Sequence, residues 1–131
     1  MGATLEGLDV NPFMYEFVLE KAWSHTITNA DWMKNWALCR GGSKSSHIID
    51  AWQQLYKKIY IHHATAGQAV LMNARPMLEG TDSWNTHPDI YYDNKELWHI
   101  WGKFLEAKNV DSSGYKFDVI NIGRQVLGNL F

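Results

Sequence analysis

Ser46-His47-Ile48-Ile49-Asp50-Ala51-Trp52-Gln53-Gln54-Leu55-Tyr56-Lys57-Lys58-Ile59 is the stretch whose reading decides the fold. Ile48, Trp52, Leu55, Tyr56 and Ile59 recur at i, i+4, i+7, i+8 and i+11, which on a helix of 3.6 residues per turn draws one apolar stripe. Lys57 and Lys58 fall outside that stripe. A strand would need alternation with period two, and no strong alternation of that kind occurs anywhere in the chain. Ser45 or Ser46 can open the helix, since a short hydroxyl side chain can accept from an orphaned amide of the first turn.

Upstream of this stretch the same logic gives two helices. Thr28 or Asn29 can cap one that carries Asp31, Trp32, Trp36 and Leu38 and is ended by Arg40 and the pair Gly41-Gly42, a cation followed by glycine being the usual carboxy-terminal order. Before it, Asn11 and Pro12 have the form of a cap and a first helical residue, with Val10 and Tyr15 as a hydrophobic staple. That helix is expected over 12–23, with Phe13, Phe17 and residues 18–22 on one side, stopping near Ser24-His25.

Downstream, periodicity fails over residues 64–92, where Gly67, Pro76, Gly80 and Pro88 collect. A short helix about 67–73 followed by an ordered loop is expected there, and a loop of this length inside a domain is usually functional. Arg75, Trp84 and His87 lie in it. Asp93-Asn94-Lys95-Glu96 has the form of a capping box for a helix through Leu97, Trp101, Phe104 and Leu105, with Tyr91 and Tyr92 packing against it. After a turn at 109–114, Ser112 or Ser113 starts the last helix, whose Phe117, Ile120, Val126 or Leu127, and Leu130 are expected to face the core. That helix runs out at Phe131 without a stop signal, as at a boundary within a longer protein. The fold class is therefore all-α, about five helices in an irregular array with one long ordered loop, as a single domain over 1–131.

Composition narrows the function. The chain has 131 residues, too few for a catalytic barrel of roughly 250. A net charge of −2 gives no basic footprint for nucleic acid and no polybasic membrane patch. No apolar run approaches the roughly 20 residues of a membrane span, and the amino terminus lacks the basic start and apolar core of a signal peptide. Cys39 is the only cysteine, so no internal disulfide forms; between Trp36, Leu38 and Arg40 it reads as a buried thiol. His62 and His63 are adjacent and point about 100° apart on a helix, which does not suit one metal ion, and no cofactor is expected. Seven Trp, six Tyr and five Phe suit either a dense helical core or a surface that stacks sugars.

The leading segment, Gly2-Ala3-Thr4-Leu5-Glu6-Gly7-Leu8-Asp9-Val10-Asn11-Pro12, holds a carboxylate between glycines just ahead of a helix start. Glu6 on such a turn can be presented to a pocket. With Phe13-Met14-Tyr15-Glu16 it resembles the Gly-Met-Thr-Pro-Glu-Gly-Ile-x-x-Asn-Pro segment of the α-N-acetylglucosaminidases, family 89 of the glycoside hydrolases. Four further segments follow in that family's order: Ala51-Trp52-Gln53-Gln54-Leu55 with Ile59-Tyr60; Ala74-Arg75-Pro76-Met77-Leu78; Tyr92-Asp93-Asn94 with Leu97 and Trp101; and residues 115–127 with Arg124-Gln125-Val126. All look like its carboxy-terminal helical region. Leu5 and Ala3 depart from the family's Pro and Met, which leaves the turn less restrained.

The resemblance implies removal of terminal α-linked N-acetylglucosamine, notably from heparan-type glycans, with retention. The 2-acetamido group of an α-linked sugar is cis to the leaving oxygen and cannot attack from the opposite face, so the enzyme supplies a nucleophile and an acid/base roughly 5 Å apart. Glu6 matches the nucleophile position; the acid/base belongs to a barrel that this chain lacks, and residues 1–11 are expected to join that barrel to the helices. Trp84, as a pocket-wall aromatic, and Arg75 are the substrate-binding candidates, although Trp84 equally suits a core anchor and Arg75 the holding of loop carbonyls. Expected partners are the glycan, the barrel of the same protein and, where barrel-facing surface is left open, a second copy of the chain. The resemblance implies a secreted, periplasmic or lysosomal setting. From a different class, a non-catalytic helical carbohydrate-binding or protein-interaction module fits the same aromatic composition.

Overall fold

The computed structural model describes residues 12–24, 26–42, 44–60, 90 and 92–130. Among them the chain is all-α, in five helices: α1 Pro12–Trp23, α2 Asn29–Gly41, α3 Ser46–Leu55 running on into a π turn at Tyr56–Tyr60, α4 Asn94–Glu106 and α5 Ser113–Gly128. The expected cap of α1, its staple and the long loop fall outside the described residues.

Local chemistry fixes the ends of these helices. Thr28 Oγ1 accepts from the Asp31 amide at 3.1 Å and donates to its carboxylate at 2.7 Å, closing the first turn of α2 on itself. Gly42 ends α2 at φ 62°, a left-handed angle that a Cβ would strain, and its amide returns to the Leu38 carbonyl. Asp93 caps α4 by accepting from the Lys95 amide at 2.9 Å, while the Glu96 carboxylate is taken up by Lys58 on the π turn. Ser112 caps α5 by accepting from the Tyr115 amide at 3.1 Å and donates its own proton to the Arg40 carbonyl.

Helix α2 packs on α3, α3 on α4, α4 on α5, and α5 back on α2, so four helices close a ring. Each neighbour pair is antiparallel: Lys58 with Glu96 and Asp50 with Lys103 join opposite ends of α3 and α4, and Arg40 at the end of α2 meets Asp118 near the start of α5. Helix α1 and the π turn supply the irregularity. Phe13 and Phe17 of α1 plug between Trp32, Trp36, Trp52, Tyr56 and Tyr60 at ring separations of 4.9 to 6.0 Å, largely as edge-on or stacked pairs that add to simple burial. Ile48, Ala51, Trp52 and Leu55 of α3 are all buried, as the stripe requires, and Ile100 and Phe104 of α4 close the core beneath them.

Three expectations are corrected. On α1, Val18 and Leu19 are exposed and Trp23 is 88% exposed; the inward face is Phe13 and the half-buried Phe17, and the exposed Glu20 accepts from Trp32 Nε1 at 2.7 Å. On α5, Val126 is buried as expected, but Phe117, Ile120, Leu127 and Leu130 are exposed, and Asp118, Ile122 and Gly123 face inward instead. The α5 face is set by close approach. Gly114 lies where an added Cβ would meet the Arg40 carbonyl at 2.9 Å, and Gly123 where it would meet the Trp101 indole at 2.9 Å, so the small residues turn inward and the large ones outward. Finally, Cys39 is exposed, because the buried stripe of α2 runs Trp32, Met33, Trp36, Ala37, Gly41 and leaves position 39 on its flank.

Tyr92 joins the two ends of the α4–α5 hairpin. It packs on the core, and its hydroxyl accepts from Gln125 at 3.0 Å and from Asn129 at 2.9 Å, while Asn129 also donates to Asn94. Tyr91 lies outside the described residues.

Candidate functional site

Glu6, Arg75 and Trp84 all lie outside the described residues, as do His62, His63 and His87. The helices fix the points from which their segments leave. Phe13, next after the first residue of α1, sits on the segment that carries Glu6; Tyr60, the last residue of the π turn, leads into the one that carries Arg75 and Trp84. Their rings stack at 5.0 Å. Phe13 and Tyr60, far apart in sequence, therefore meet at one place on the helical body.

A cleft opens there, lined by Phe13, Trp36, Trp52 and Tyr60 on one side and by Arg40, Phe117, Asp118, Asn121 and Ile122 on the other. Its electrostatic centre is an ion pair 78 residues apart in sequence. Arg40 Nε donates to Asp118 Oδ2 at 3.0 Å, Nη2 donates to Oδ1, and Nη2 also reaches the Gly114 carbonyl at 3.3 Å. The guanidinium is clamped between the Trp36 ring at 5.4 Å and the Phe117 ring at 5.5 Å, positions in which the negative ring faces favour the cation. Hydrogen bonding to Asp118 pushes the Arg40 pKa further up. Burial pushes the Asp118 carboxyl above its ordinary range, and the hydrogen bond and charge of Arg40 offset only part of that.

The larger concavity, an open basin of about 550 Å³ between Lys44, Ser45, Ser46, His47, Glu106, Lys108 and Asn109, lies at the opposite end of α3. Within it His47 Nδ1 approaches Glu106 at 3.3 Å, with both side chains more than half exposed. Solvated groups of that kind do not converge on a ligand, and the aromatic cleft, at about 20 Å³, is far smaller than a pocket for a sugar. Among the described residues no group of three or more His, Cys, Asp or Glu could hold a metal ion, and no helix is long and apolar enough to cross a membrane.

Sequence reasoning took Arg40 as the closing cation of α2 and Phe117 as core. Neither the ion pair nor the clamp could be read there, since Asp118 is an unremarkable acid within an amphipathic pattern. The short spacing Gly114 to Asp118 is the one clue, a glycine and an acid on one α5 face.

A family model described as the alpha-N-acetylglucosaminidase (NAGLU) C-terminal domain matches residues 32–131. The match takes in α2 from Trp32 onward, α3, α4 and α5, and the segment with Arg75 and Trp84; α1 and the leading segment with Glu6 lie before it. No curated protein and no solved structure gives a significant match.

Proposed function

The chain belongs to the family of the α-N-acetylglucosaminidase carboxy-terminal domain, and from that premise we propose that it is the helical part of a retaining exo-α-N-acetylglucosaminidase acting on terminal α-linked N-acetylglucosamine of heparan-type glycans. The family match carries the reading. In it, Glu6 is the nucleophile, Trp84 a wall of the sugar pocket and Arg75 a hydrogen-bonding or loop-holding neighbour, while the general acid/base comes from a barrel outside this chain.

The tether points support this assignment. Glu6 is seven residues from Phe13, so even a fully extended chain keeps it within about 25 Å of the cleft mouth. Tyr60, stacked on the same Phe13, starts the segment with Arg75 and Trp84 from the same point. The exposed apolar residues of α1 and α5 (Val18, Leu19, Trp23, Phe117, Ile120 and Leu127) are the surfaces a barrel or a second copy would cover.

Retention fixes the roles. Glu6 attacks the anomeric carbon from the β face as the acid/base protonates the departing oxygen, forming a β-glycosyl ester; water, deprotonated by the same acid/base, then attacks from the α face and frees Glu6. The test uses the full-length protein and an aryl α-N-acetylglucosaminide, with the anomer of the first product followed by NMR. The α anomer is expected, and the β anomer would exclude a covalent Glu6 intermediate. Alone, the 131-residue chain should hydrolyse none of this substrate; turnover that disappears in Glu6→Gln would show a complete site within it.

A further inference from the structure

We propose that the outer face of α4 is an interface between two copies of this chain, joined as an antiparallel pair of α4 helices that cross at Gly102. Lys95, Trp98, Gly102 and Leu105 recur at i, i+3, i+7 and i+10, and Glu106 follows at i+11, so all five share one side of the helix. That side is turned away from the ring. Leu97, Ile100 and Phe104 are buried in the core, Lys58 and Asp50 of α3 take up Glu96 and Lys103, and Trp101 faces Gly123 of α5. Trp98 remains 48% and Leu105 53% exposed.

Gly102 is the residue that calls for close approach. It sits within α4 without a positive φ, where glycine weakens a helix relative to alanine, and a Cβ added there would meet no described atom within 4 Å. Neither a turn nor packing among the described residues requires a glycine, in contrast with Gly114 and Gly123. Its missing side chain leaves a notch between Trp98 and Leu105, the shape that lets a second helix backbone come near.

Charge selects the occupant. Lys95 stands at one end of this face and Glu106 at the other, both exposed. A two-fold axis at Gly102 reverses the second helix, which sets Trp98 of each copy against Leu105 of the other and Lys95 of each against Glu106 of the other. Both contacts then occur twice, and a parallel pairing would instead set like charges together. Glu106 approaches His47 of its own chain at 3.3 Å yet keeps 66% exposure, open to a partner's lysine. Trp98 packs edge-on against Trp101 at 5.9 Å, so its indole is held before a partner arrives and association costs less ordering. One helix crossing covers less than the roughly 800 Å² per partner of a standard interface, so a weak, concentration-dependent dimer follows.

Sedimentation equilibrium of the 131-residue chain over a wide concentration range tests this. The parent should show a monomer–dimer equilibrium. Gly102→Gln has open space in the monomer, so it should keep the helical circular dichroism and weaken dimerisation about tenfold or more. Lys95→Glu and Glu106→Lys each bring like charges together twice and should also weaken it when alone. Both suit the helix dipole, an acid near the start of α4 and a base near its end, so neither threatens folding. Mixed together they should recover the parent's affinity as a heterodimer, because both pairs are then opposite in charge again. A parent that stays monomeric throughout would overturn the proposal. So would association untouched by Gly102→Gln, which would point to the exposed residues of α1 or α5, and so would charge variants that fail to rescue one another, which would exclude the antiparallel pairing.

Discussion

The ring of four helices is sealed along two seams by opposite means. Between α3 and α4 run two ion pairs, Asp50–Lys103 and Lys58–Glu96, and a contact of His47 with Glu106, each with side chains 32% to 66% exposed. Between α2 and α5 there is one, Arg40–Asp118, with Asp118 5% exposed and the guanidinium clamped by two rings. Counting bridges would rank the first seam stronger. Solvent decides otherwise: exposed pairs are each worth about 0–1 kcal/mol, whereas stripping one partner from a buried pair costs about 3–5 kcal/mol through the charge left behind.

The largest expected effect follows directly. Arg40→Met keeps bulk between Trp36 and Phe117 but leaves Asp118 buried without its cation, and urea unfolding should show a loss of about 3–5 kcal/mol. Adding Asp118→Leu should restore most of it, since a buried pair replaced by apolar residues is often neutral or better. A loss below about 1 kcal/mol for the single change would put this seam in the same class as the exposed one.

Next in size is the close packing that brings the helices together. Gly123→Ala drives a methyl group into the Trp101 indole, whose Nε1 donates to the Val119 carbonyl at 3.0 Å and so resists moving. A loss of about 1–3 kcal/mol in the same assay is expected. Across the other seam, Lys103→Met removes a cation from the exposed Asp50 and should cost less than about 1 kcal/mol.

The smallest effect is the most diagnostic, because the two aspartates titrate in opposite directions. Hydrogen bonds from Lys103 and then Gln54 hold Asp50 below the ordinary carboxylate range, so its contribution is present above about pH 3.9 and is lost as pH falls through the lowered value. Asp118 is raised by burial, so its contribution is full below about pH 3.9 and is lost as pH rises through the raised value. Subtracting the stability of Asp50→Asn from the parent should give a difference that grows with pH, and Asp118→Asn one that shrinks. Two slopes of the same sign would contradict the comparison.

Legibility in the sequence followed the same divide. Local rules found α1 at 12–23, the caps Thr28, Asp93 and Ser112, and the Gly42 stop, because each depends on neighbours within four residues. The α3 stripe was equally plain, although a π turn takes over at Tyr56 and carries Tyr60 onto Phe13. What failed was the choice between two apolar faces of one helix. Phe117, Ile120 and Leu127 form as good a stripe on α5 as Val119, Ile122 and Val126, and only the approach of Arg40 and Trp101 to Gly114 and Gly123 decides which turns inward. Glu6 became a nucleophile only through a resemblance, and Trp84 and Arg75 were candidates on loop position alone, since nothing local to any of them distinguishes a nucleophile or a sugar contact from an ordinary loop residue.

Both seams hold a platform; in the function proposed above, the chemistry rests on Glu6. In the full-length enzyme, Glu6→Ala should abolish turnover while leaving affinity for N-acetylglucosamine within about a few-fold of the parent, because a nucleophile acts on the transition state and covalent intermediate. The direct measurement is the anomer of the product formed by that variant from an activated aryl α-N-acetylglucosaminide in azide. Azide filling the space of a lost nucleophile attacks from the β face and gives the β-glycosyl azide. An α-glycosyl azide, which arises when a surviving nucleophile still forms the covalent intermediate, or activity close to the parent, would remove Glu6 from the role.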